Sequence, residues 1–529
     1  MQLEQELKLA IAPEDAARLR RLASGWPAVR RRGRAQHQLT IYFDTAERAL
    51  KEGGMALRIR KAGRRRLQTL KLEGEAIASL SARPEWEQAV RGERPDLAAL
   101  PPAALELLPE AVREDPGLLR PVFTTDIRRT FWDVGMDGGA RVEMVLDEGE
   151  IRAGRRREKV CEIELELKEG PAVGLVDFAA SLRRDIPFQL EPWSKSARGY
   201  RLAARQVPYF VKADLVALAP EMSAREAFVA VMRGCLAQLE ANEACARDGR
   251  EPEGVHQMRV ALRRMRSALA VFDACLPAAL QGELREELRW ITRELGAARD
   301  WDVFLEETVR PLALRLSEAE RFRPLLAAGE KLRRAGYAQV REAIQSHRYT
   351  AMKLCVLRWL TREDWQDVAD EAAREALAEP VGELARKVLR ARDRKLRKVG
   401  EGHEEFTVEE LHELRIRAKK MRYAAEFFRR LYPRKPVKRY LSRMAVLQEV
   451  LGAINDAAVG RQRLDEAHAA LGAAGGQAPS LVWADGVVSG WLAARMMSEV
   501  GRFAELWSDF RAQKPFWNRV AEPVRAAAD

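Results

Sequence analysis

Acidic residues occupy alternate positions in two short segments near the ends of the first 200 residues. If these segments are β-strands, Glu4 and Glu6 of LEQELKLA share one face, and so do Glu162 and Glu164 of CEIELELK, because strand side chains alternate between faces. Like-charged neighbours repel and are tolerated best where cations lie between them. Carboxylates are also hard oxygen ligands that suit Mg²⁺ and Mn²⁺. The pattern therefore indicates a cation-binding site.

Basic residues follow the same alternation in another segment, where Arg58 and Arg60 oppose Leu57 and Ile59. Arg and Lys bind phosphate oxygens, and Arg does so with a two-pronged guanidinium. A compound with several phosphates and a metal needs both signs of charge in one cavity, and phosphoryl transfer asks the protein mainly for positioning and charge neutralisation. The alternative is that each charged face is simply exposed to water, as is common in antiparallel sheets.

The elements that must position these residues are short strands. Up to Tyr200, runs of period-two alternation are separated by Gly, Pro and charged turns, which predicts an antiparallel β-barrel with a charged interior and an apolar outer face covered by helices. Two segments, Pro13 to Leu22 and Gly174 to Arg184, are predicted as helices. From about Ser223 apolar residues recur every three or four positions, which predicts an all-α second half.

The helical half contains an internal repeat. HQMRVALRRMR begins at His256 and HELRIRAKKMR begins at His412, and an LGA triplet and an aspartate, Asp300 or Asp456, recur with the same offset of 156 residues. We infer two duplicated helical bundles. In each copy four residues at positions i, i+3, i+7 and i+10 form a basic stripe along one helix, and these are His256, Arg259, Arg263 and Arg266, and His412, Arg415, Lys419 and Arg422. Such stripes favour an anionic partner, although a solvated surface helix is the simpler alternative.

Composition narrows the class of protein. A net charge of +12 points to a polyanion such as polyphosphate, nucleic acid or an anionic membrane. No apolar run is long enough for a membrane span, and no helix-turn-helix, zinc-finger or RNA-binding signature argues for nucleic acid. The N-terminal segment has acidic residues where a signal peptide would need a basic start, and the five scattered cysteines are expected to be reduced, so we expect a cytoplasmic protein.

The first half resembles the CYTH, or triphosphate tunnel metalloenzyme, superfamily. The resemblance rests on the ExExK segment from Glu4 to Lys8 and on an ordered set of charged residues over roughly residues 1–205. It implies that Glu4, Glu6, Asp147, Glu162 and Glu164 bind divalent metal, Mg²⁺ or Mn²⁺, and that these carboxylates act with Lys8 in catalysis. It also implies a substrate-binding set of Lys8, Arg58, Arg60, Lys71, Glu85, Glu87, Arg128 and Lys195.

The second half resembles the CHAD domain, a conserved-histidine α-helical domain associated with inorganic polyphosphate. The resemblance rests on the two histidine motifs and the LGA-plus-Asp motifs. It implies that the two basic stripes bind polyphosphate, and that the histidines add positive charge when protonated. The expected domains are the strand domain at 1–205, a linker at 206–221, the helical domain at 222–515 with halves at about 222–350 and 375–515, and a tail at 516–529.

These resemblances together imply a triphosphatase that acts on inorganic triphosphate or a related short triphosphate compound, with polyphosphate held by the helical half. One alternative is a class IV adenylyl cyclase, which uses a similar tunnel. Another is a non-catalytic adaptor that binds polyphosphate. A phosphate-release assay and a cyclic AMP assay on the same protein distinguish the three.

Overall fold

The computed structural model describes residues 2–26, 28–32, 35–72, 76–77, 80–136, 139–362, 365–399, 406–476 and 479–518. The chain separates into two compact units. The strand unit comprises Met1–Tyr209 together with Gln345–Glu363, and the helical unit comprises Phe210–Ile344 and Asp364–Asp529. The boundary between Tyr209 and Phe210 lies within the predicted linker, but the return of residues 345–363 to the strand unit was not predicted.

The strand unit contains an antiparallel sheet that curls back on itself. Its strands are β1 (Gln2–Ala10), β2 (Val29–Arg32), β3 (Gln36–Asp44), β4 (Met55–Ala62), β5 (Arg65–Leu72), β6 (Ala76–Ile77), β7 (Leu80–Ala89), β8 (Arg120–Gly135), β9 (Arg141–Ala153), β10 (Arg156–Glu169) and β11 (Gln189–Leu190). Pairing runs from β1 through β10, β9, β8, β3, β4, β5 and β7, and β7 pairs with β1 again. The sheet is therefore barrel-like, as the alternation predicted.

The described part of the strand unit also contains helices that pack on this sheet. They are α1 (Pro13–Gly25), α2 (Ala49–Glu52), α3 (Pro102–Leu105), α4 (Glu110–Glu114), α5 (Val173–Leu182) and α6 (Lys195–Ala203). Leu57 and Ile59 of β4 and Leu70 of β5 pack in one core with Ala104 of α3 and Val112 of α4. Their neighbours Arg58 and Arg60 lie on the opposite, inner face. On β4 and β5 the apolar side chains therefore form the core, and the charged side chains face the interior.

The helical unit is built from long helices. They are α7 (Ala224–Asp248), α8 (Glu253–Val271), α9 (Ala278–Glu294), α10 (Gly296–Val303), α11 (Arg310–Arg315) and α12 (Ala319–Gln345), then, after α13 (His347–Thr361) of the strand unit, α14 (Trp365–Val368), α15 (Glu371–Ala378), α16 (Val381–Arg397), α17 (Val408–Phe427), α18 (Arg434–Gly476) and α19 (Pro479–Arg511). Among the described helices, none is long and apolar enough to cross a membrane.

The internal repeat is visible in the helix boundaries. A 3₁₀ turn at Asp273–Cys275 follows α8, and one at Arg429–Leu431 follows α17. The next helices begin at Ala278 and Arg434, which keeps the 156-residue spacing of the two histidine motifs. The copies differ afterwards, because α9 ends before Gly296 whereas α18 continues through Gly452 to Gly476.

The predicted tail is partly integrated into the helical unit. Phe516 and Trp517 form a 3₁₀ turn, and both rings pack against Tyr440 with centroid distances of 5.3 Å. Both side chains are buried. Burial of two aromatic rings ties these residues to the core of the helical unit. Residues 519–529 lie outside the described part of the chain.

Candidate functional site in the strand unit and basic groove in the helical unit

Three carboxylates converge on the inner face of neighbouring strands. Asp147 of β9 lies directly opposite Glu162 of β10, and Glu164 follows two positions later on the same face. One oxygen from each lies within 4.8 Å of the others. Asp147 is 0% exposed and Glu162 is 1% exposed, so their negative charges depend on cations held beside them.

Lys195 supplies one such cation. It is the first residue of α6, and its Nζ lies 2.6 Å from Asp147, 2.5 Å from Glu162 and 2.8 Å from Glu164. Burial alone would lower the pKa of Lys195, but the three carboxylates outweigh it and raise that pKa. The sequence assigned Lys195 to substrate phosphate. In this structure its ammonium instead lies among the predicted metal ligands.

Arg129 supplies a second cation, and this corrects the assignment of Arg128. Arg129 donates two hydrogen bonds to Asp147, at 2.8 and 2.6 Å, and one to Glu164 at 2.6 Å. Burial would lower the pKa of Arg129, but these carboxylates outweigh burial and raise that pKa well above its ordinary value. Arg128 is exposed, because adjacent side chains of β8 point to opposite faces. The interior arginine of this strand is therefore Arg129.

Glu6 and Lys8 lie on β1 next to this cluster. Lys8 is opposite Glu164 in the register and donates a hydrogen bond to Glu6. Burial would raise the pKa of Glu6, but Lys8 and Lys71 together outweigh burial and lower the pKa to about 2. Glu6 is not part of the three-carboxylate cluster found among the described residues. The side chain of Glu4 lies outside the described part of the structure.

The other half of the interior carries the predicted phosphate-binding cations. Lys71 of β5 lies 2.9 Å from Glu85 of β7, and Arg58 of β4 lies 3.7 Å from the same carboxylate. Among the described residues no carboxylate lies within 4 Å of the Arg60 guanidinium, and Arg58, burial and Arg129 lower the pKa of Arg60 to about 10. Glu87 lies on this face but is exposed, and its carboxylate accepts a 3.3 Å hydrogen bond from Thr69. Within the described part of the chain, Glu87 is therefore the carboxylate that acts on Arg60, and it does so without an ion pair within 4 Å.

An apolar cluster fills one end of the interior. Phe123, Ile127 and Ile151 lie on the same strand faces as Arg129 and Asp147, and they pack with Tyr200 of α6. The Tyr200 hydroxyl donates a 2.9 Å hydrogen bond to a carboxylate oxygen of Asp44. The helix that places Lys195 among the carboxylates therefore also closes this end.

The donor set fits a divalent cation. Asp147, Glu162 and Glu164 offer hard carboxylate oxygens from two adjacent, rigid strands. The positively charged Lys195 already lies among them, which shows that the cluster is arranged around positive charge.

The helical unit brings the two basic stripes together. Helix α8 packs against α17, and α10 packs against α18. Arg259 and Arg263 of the first stripe therefore lie near Arg415 and Lys419 of the second. Burial, Arg415 and Arg263 lower the pKa of Lys419 to about 7. Burial also lowers the pKa of Arg415, and the positive charge of Arg263 lowers it further. We call the surface formed by Arg259, Arg263, Arg415 and Lys419 the basic groove.

The recurrent aspartates and the LGA glycine support this groove. Asp300 lies 4.0 Å from Arg259, and burial raises the pKa of Asp300 despite that arginine. A Cβ at Gly296 would lie 3.2 Å from Nη1 of Arg259, so the glycine leaves room for the guanidinium. At Gly452, the second copy, a Cβ would meet nothing within 4 Å. The glycine therefore has a packing role in the first copy alone.

The remaining stripe residues are less alike than the repeat suggested. Burial and Arg299 lower the pKa of His256 to about 4, so this histidine is neutral near pH 7 in the free protein. His412 is exposed. Arg266 is exposed as well, whereas Arg422 donates to Glu426 at 2.7 Å and to Gln448 at 3.0 Å. The repeat preserves residue types but not their surroundings.

Three further arginines belong to these sites and were not identified from the sequence. Arg198 donates to Glu162 and to Glu158, both at 2.7 Å. Arg463 lies beside Asp300, and Arg299 lies beside His256. Arg198 follows Lys195 by one helical turn, which is the signal that could have revealed it. Arg463 has no repeat-related arginine, because Glu307 occupies the equivalent position.

Comparisons with known proteins agree with this architecture. The family model described as CYTH domain matches residues 2–200, and the one described as CHAD domain matches residues 230–465. Over 211 residues the chain is 34% identical to the inorganic triphosphatase of Haemophilus influenzae. This alignment covers 38% of the chain and 56% of that protein, so the chain spans about half the length of this relative.

Solved structures are similar to each half separately. The CHAD domain from the plant Ricinus communis is 31% identical, with a TM-score of 0.48, and covers 58% of this chain and 99% of that chain. HpAC1 from Hippeastrum, a protein with a dominant triphosphatase activity, is 20% identical with a TM-score of 0.28, and covers 37% of this chain and 95% of that chain. Together with the two family models, the strand and helical units show that the chain carries a CYTH domain followed by a CHAD domain.

Proposed function

We propose that the strand unit hydrolyses inorganic triphosphate, or a related short triphosphate compound, with the help of Mg²⁺ or Mn²⁺. The observation that carries this proposal is the convergence of Asp147, Glu162 and Glu164 within 4.8 Å, in an interior that also holds Arg58 and Arg60. The similarity to an inorganic triphosphatase supports it. A bound divalent metal would neutralise phosphate oxygens and lower the pKa of a coordinated water.

The side chains of this chain then have distinct tasks. Asp147, Glu162 and Glu164 would hold the metal, with Glu6 beside them. Arg60, which has no carboxylate within 4 Å among the described residues, would bind the terminal phosphate. Arg58, Lys71 and Lys8 would bind the remaining phosphates of the substrate. Lys195 and Arg129 would keep the carboxylates ionised and oriented. Catalysis would rest mainly on positioning and charge neutralisation.

The first test removes one carboxylate. Glu164→Gln should lower kcat/KM for inorganic triphosphate by about 100-fold or more, because a ligand contributes at least as much as the residues that orient it. Phosphate release with Mg²⁺ or Mn²⁺ measures the effect over triphosphate, longer polyphosphates, ATP and thiamine triphosphate. Cyclic AMP formation from ATP is followed in parallel and should be absent.

Glu169→Gln is the matched control for this test. Glu169 ends the same strand but is exposed and pairs with Arg141 at 2.6 Å, so its loss should leave kcat/KM unchanged. Full turnover with unaltered metal dependence in Glu164→Gln would remove the proposed role of this carboxylate.

We also propose that the helical unit binds polyphosphate in the basic groove. Buried Nε atoms of Arg263 and Arg415 have no hydrogen-bond partner among the described residues. The protein therefore leaves part of the hydrogen-bonding capacity of these two guanidinium groups unused. In the described part of the chain no carboxylate lies within 4 Å of Arg263, Arg415 or Lys419, so the groove has an excess of positive charge that a polyanion would neutralise.

The groove is tested by alanine substitution of Arg259, Arg263, Arg415 and Lys419 together. Long-chain polyphosphate should bind the full-length variant more weakly, and the slope of log K against log salt should fall by about 3, because each lost contact with a flexible polyanion removes about 0.7. Titrations at several salt concentrations measure both quantities. The control variant replaces four exposed arginines that already pair with carboxylates, which are Arg321, Arg323, Arg461 and Arg502. Equal losses in both variants would reduce the effect to net charge and contradict the groove.

A further inference from the structure

A second cavity lies beside the basic groove in the helical unit. It has a volume of about 310 Å³, in the range of small-molecule sites, and it lies between α8, α9 and α17. Its lining comprises Arg263, Arg266, Ser267, Leu269, Ala270, Arg285, Arg289, Ile416, Lys419, Lys420 and Tyr423. We call it the α9 pocket, because α9 contributes residues that neither stripe contains.

Positive charge dominates the polar lining of the α9 pocket. No described carboxylate lies within 4 Å of Arg266, Arg289 or Lys420, whereas Arg285 pairs with Asp273. The Nε atom of Arg263 is buried without a hydrogen-bond partner among the described residues. Such a lining is stabilised by a ligand with several negative charges.

The two arginines that α9 contributes to the pocket belong to the first repeat only. The residues 156 positions after Arg285 and Arg289 are Leu441 and Ala445, so the second copy lacks both guanidinium groups. A groove that binds a uniform phosphate polymer has no need for this asymmetry. The two arginines therefore indicate a ligand that is recognised at this place alone.

The rest of the lining is apolar and includes one aromatic ring. Ile416 is 39% exposed, and it borders the pocket together with Leu269 and Tyr423. An inorganic phosphate chain has no apolar part to cover these side chains. A planar heterocycle does, because bases stack on tyrosine rings and on guanidinium planes.

We propose that the α9 pocket binds a nucleotide, with its phosphates on Arg263, Arg266, Arg289 and Lys419 and its base against Tyr423 and Ile416. This goes beyond the proposed function, since neither triphosphate hydrolysis nor polyphosphate binding requires a nucleoside. The site shares Arg263 and Lys419 with the basic groove, so an occupied pocket and bound polyphosphate compete for two cations. Arg289, Tyr423 and Ile416 distinguish the pocket from the groove.

The experiment compares ADP with pyrophosphate, which carries the same phosphates without a nucleoside. Calorimetric titrations use the full chain with Arg58→Ala and Arg60→Ala, which removes competing sites in the strand unit. ADP should bind one site at least about tenfold more tightly than pyrophosphate, the low end of what one stacked base contributes. Tyr423→Leu should lower the affinity for ADP about tenfold and leave pyrophosphate unchanged, and Tyr423→Phe should retain ADP binding.

A matched pair of arginine variants tests the phosphate side. Arg289→Ala should weaken ADP and pyrophosphate alike, while Arg293→Ala, one turn further along α9 and outside the lining, should change neither. Equal affinities for ADP and pyrophosphate would overturn the proposal and leave an inorganic anion site. ADP affinity that survives Tyr423→Leu would also overturn it. Loss of triphosphatase activity in Glu164→Gln is independent of either outcome.

Discussion

Lys195 shows how single residues make the charged interior possible. Asp147 and Glu162 are almost fully buried, and isolated carboxylates in such positions would take up protons. The Lys195 ammonium contacts both of them and Glu164 within 2.8 Å. The buried charges of the interior therefore stabilise one another, and removal of one partner leaves the others unpaired.

Arg129 and Arg128 provide a paired prediction at the residue scale. Arg129→Gln should lower kcat/KM for inorganic triphosphate by about 100-fold, because it removes one of the two cations that orient Asp147 and Glu164. Arg128→Gln should stay within about twofold of the parent, since this side chain is exposed. Steady-state phosphate release on both variants decides the point, and equal losses would mean that the inner face of β8 was assigned incorrectly.

The choice between these two arginines could not be made from the sequence. On most strands the apolar residues lie opposite the charged ones, so alternation identified Arg58, Arg60, Glu162 and Glu164 correctly as inner-face residues. On β8 the inner face also carries Phe123 and Ile127 of the apolar cluster. Alternation therefore places Arg129 on the apolar side. In the structure Arg129 lies opposite Asp147 across β8 and β9, and this pairing identifies Arg129 as the interior arginine.

At the scale of elements, α6 links the chemistry to the closed end of the interior. Ser194 caps this helix by accepting a 3.1 Å hydrogen bond from the Ala197 amide, which places Lys195 at the first position. One turn later Gly199 faces the Phe123 ring, and a Cβ there would lie 2.1 Å from the ring carbon Cε2. The close approach of α6 to β8 therefore requires glycine.

Gly199→Ala should destabilise the strand unit by about 1–3 kcal/mol, the usual cost of an extra methyl group in a packed core. The Phe123 ring cannot move away easily, since it stacks on Tyr42 at 4.4 Å and packs against Tyr200 at 5.1 Å. The midpoint of urea unfolding, followed by tryptophan fluorescence, measures the change. Gly25→Ala is the control, because a Cβ at Gly25 meets nothing within 4 Å. An unchanged midpoint for Gly199→Ala would show that α6 can shift outward freely.

Helices and strands could be predicted where the local sequence pattern determines them. The unit to which a helix belongs could not be predicted where tertiary contacts determine it. The 156-residue spacing of the histidine motifs correctly indicated two related helical bundles. Helix α13 has an ordinary helical sequence, yet it belongs to the strand unit. The hydroxyl of Thr350 donates a 3.3 Å hydrogen bond to the Phe188 carbonyl, and Arg358 lies 3.0 Å from Asp177. Periodicity reports which face of a helix is apolar but not which unit buries it.

At the scale of the whole molecule, the net charge of +12 is concentrated in part within the basic groove. Arg259, Arg263 and Arg415 surround Lys419 there, and the acidic groups Asp456 and Asp300 oppose this positive charge. Burial and these guanidiniums lower the pKa of Lys419 to about 7. The groove can therefore gain or lose one positive charge near neutral pH.

Polyphosphate affinity should consequently fall as the pH rises from 6 to 8. A polyanion binds the protonated amine, which predominates below the Lys419 pKa of about 7 and is lost above it. The decrease should be about tenfold, the value of one charge-assisted hydrogen bond. Lys419→Arg should abolish this pH dependence, because guanidinium stays charged throughout. Binding titrations at pH 6, 7 and 8 measure it, and an identical profile in both proteins would exclude Lys419 as its source.

If the strand unit hydrolyses phosphate chains as proposed, the apolar cluster around Phe123 and Tyr200 offers a phosphate no charged partner at that end of the interior. A linear phosphate chain that cannot pass through must enter with one terminus leading, and the leading phosphates are those that reach the carboxylates. Cleavage would then remove phosphate from the terminus that entered first. The product would have to leave through the same opening before another substrate molecule could bind.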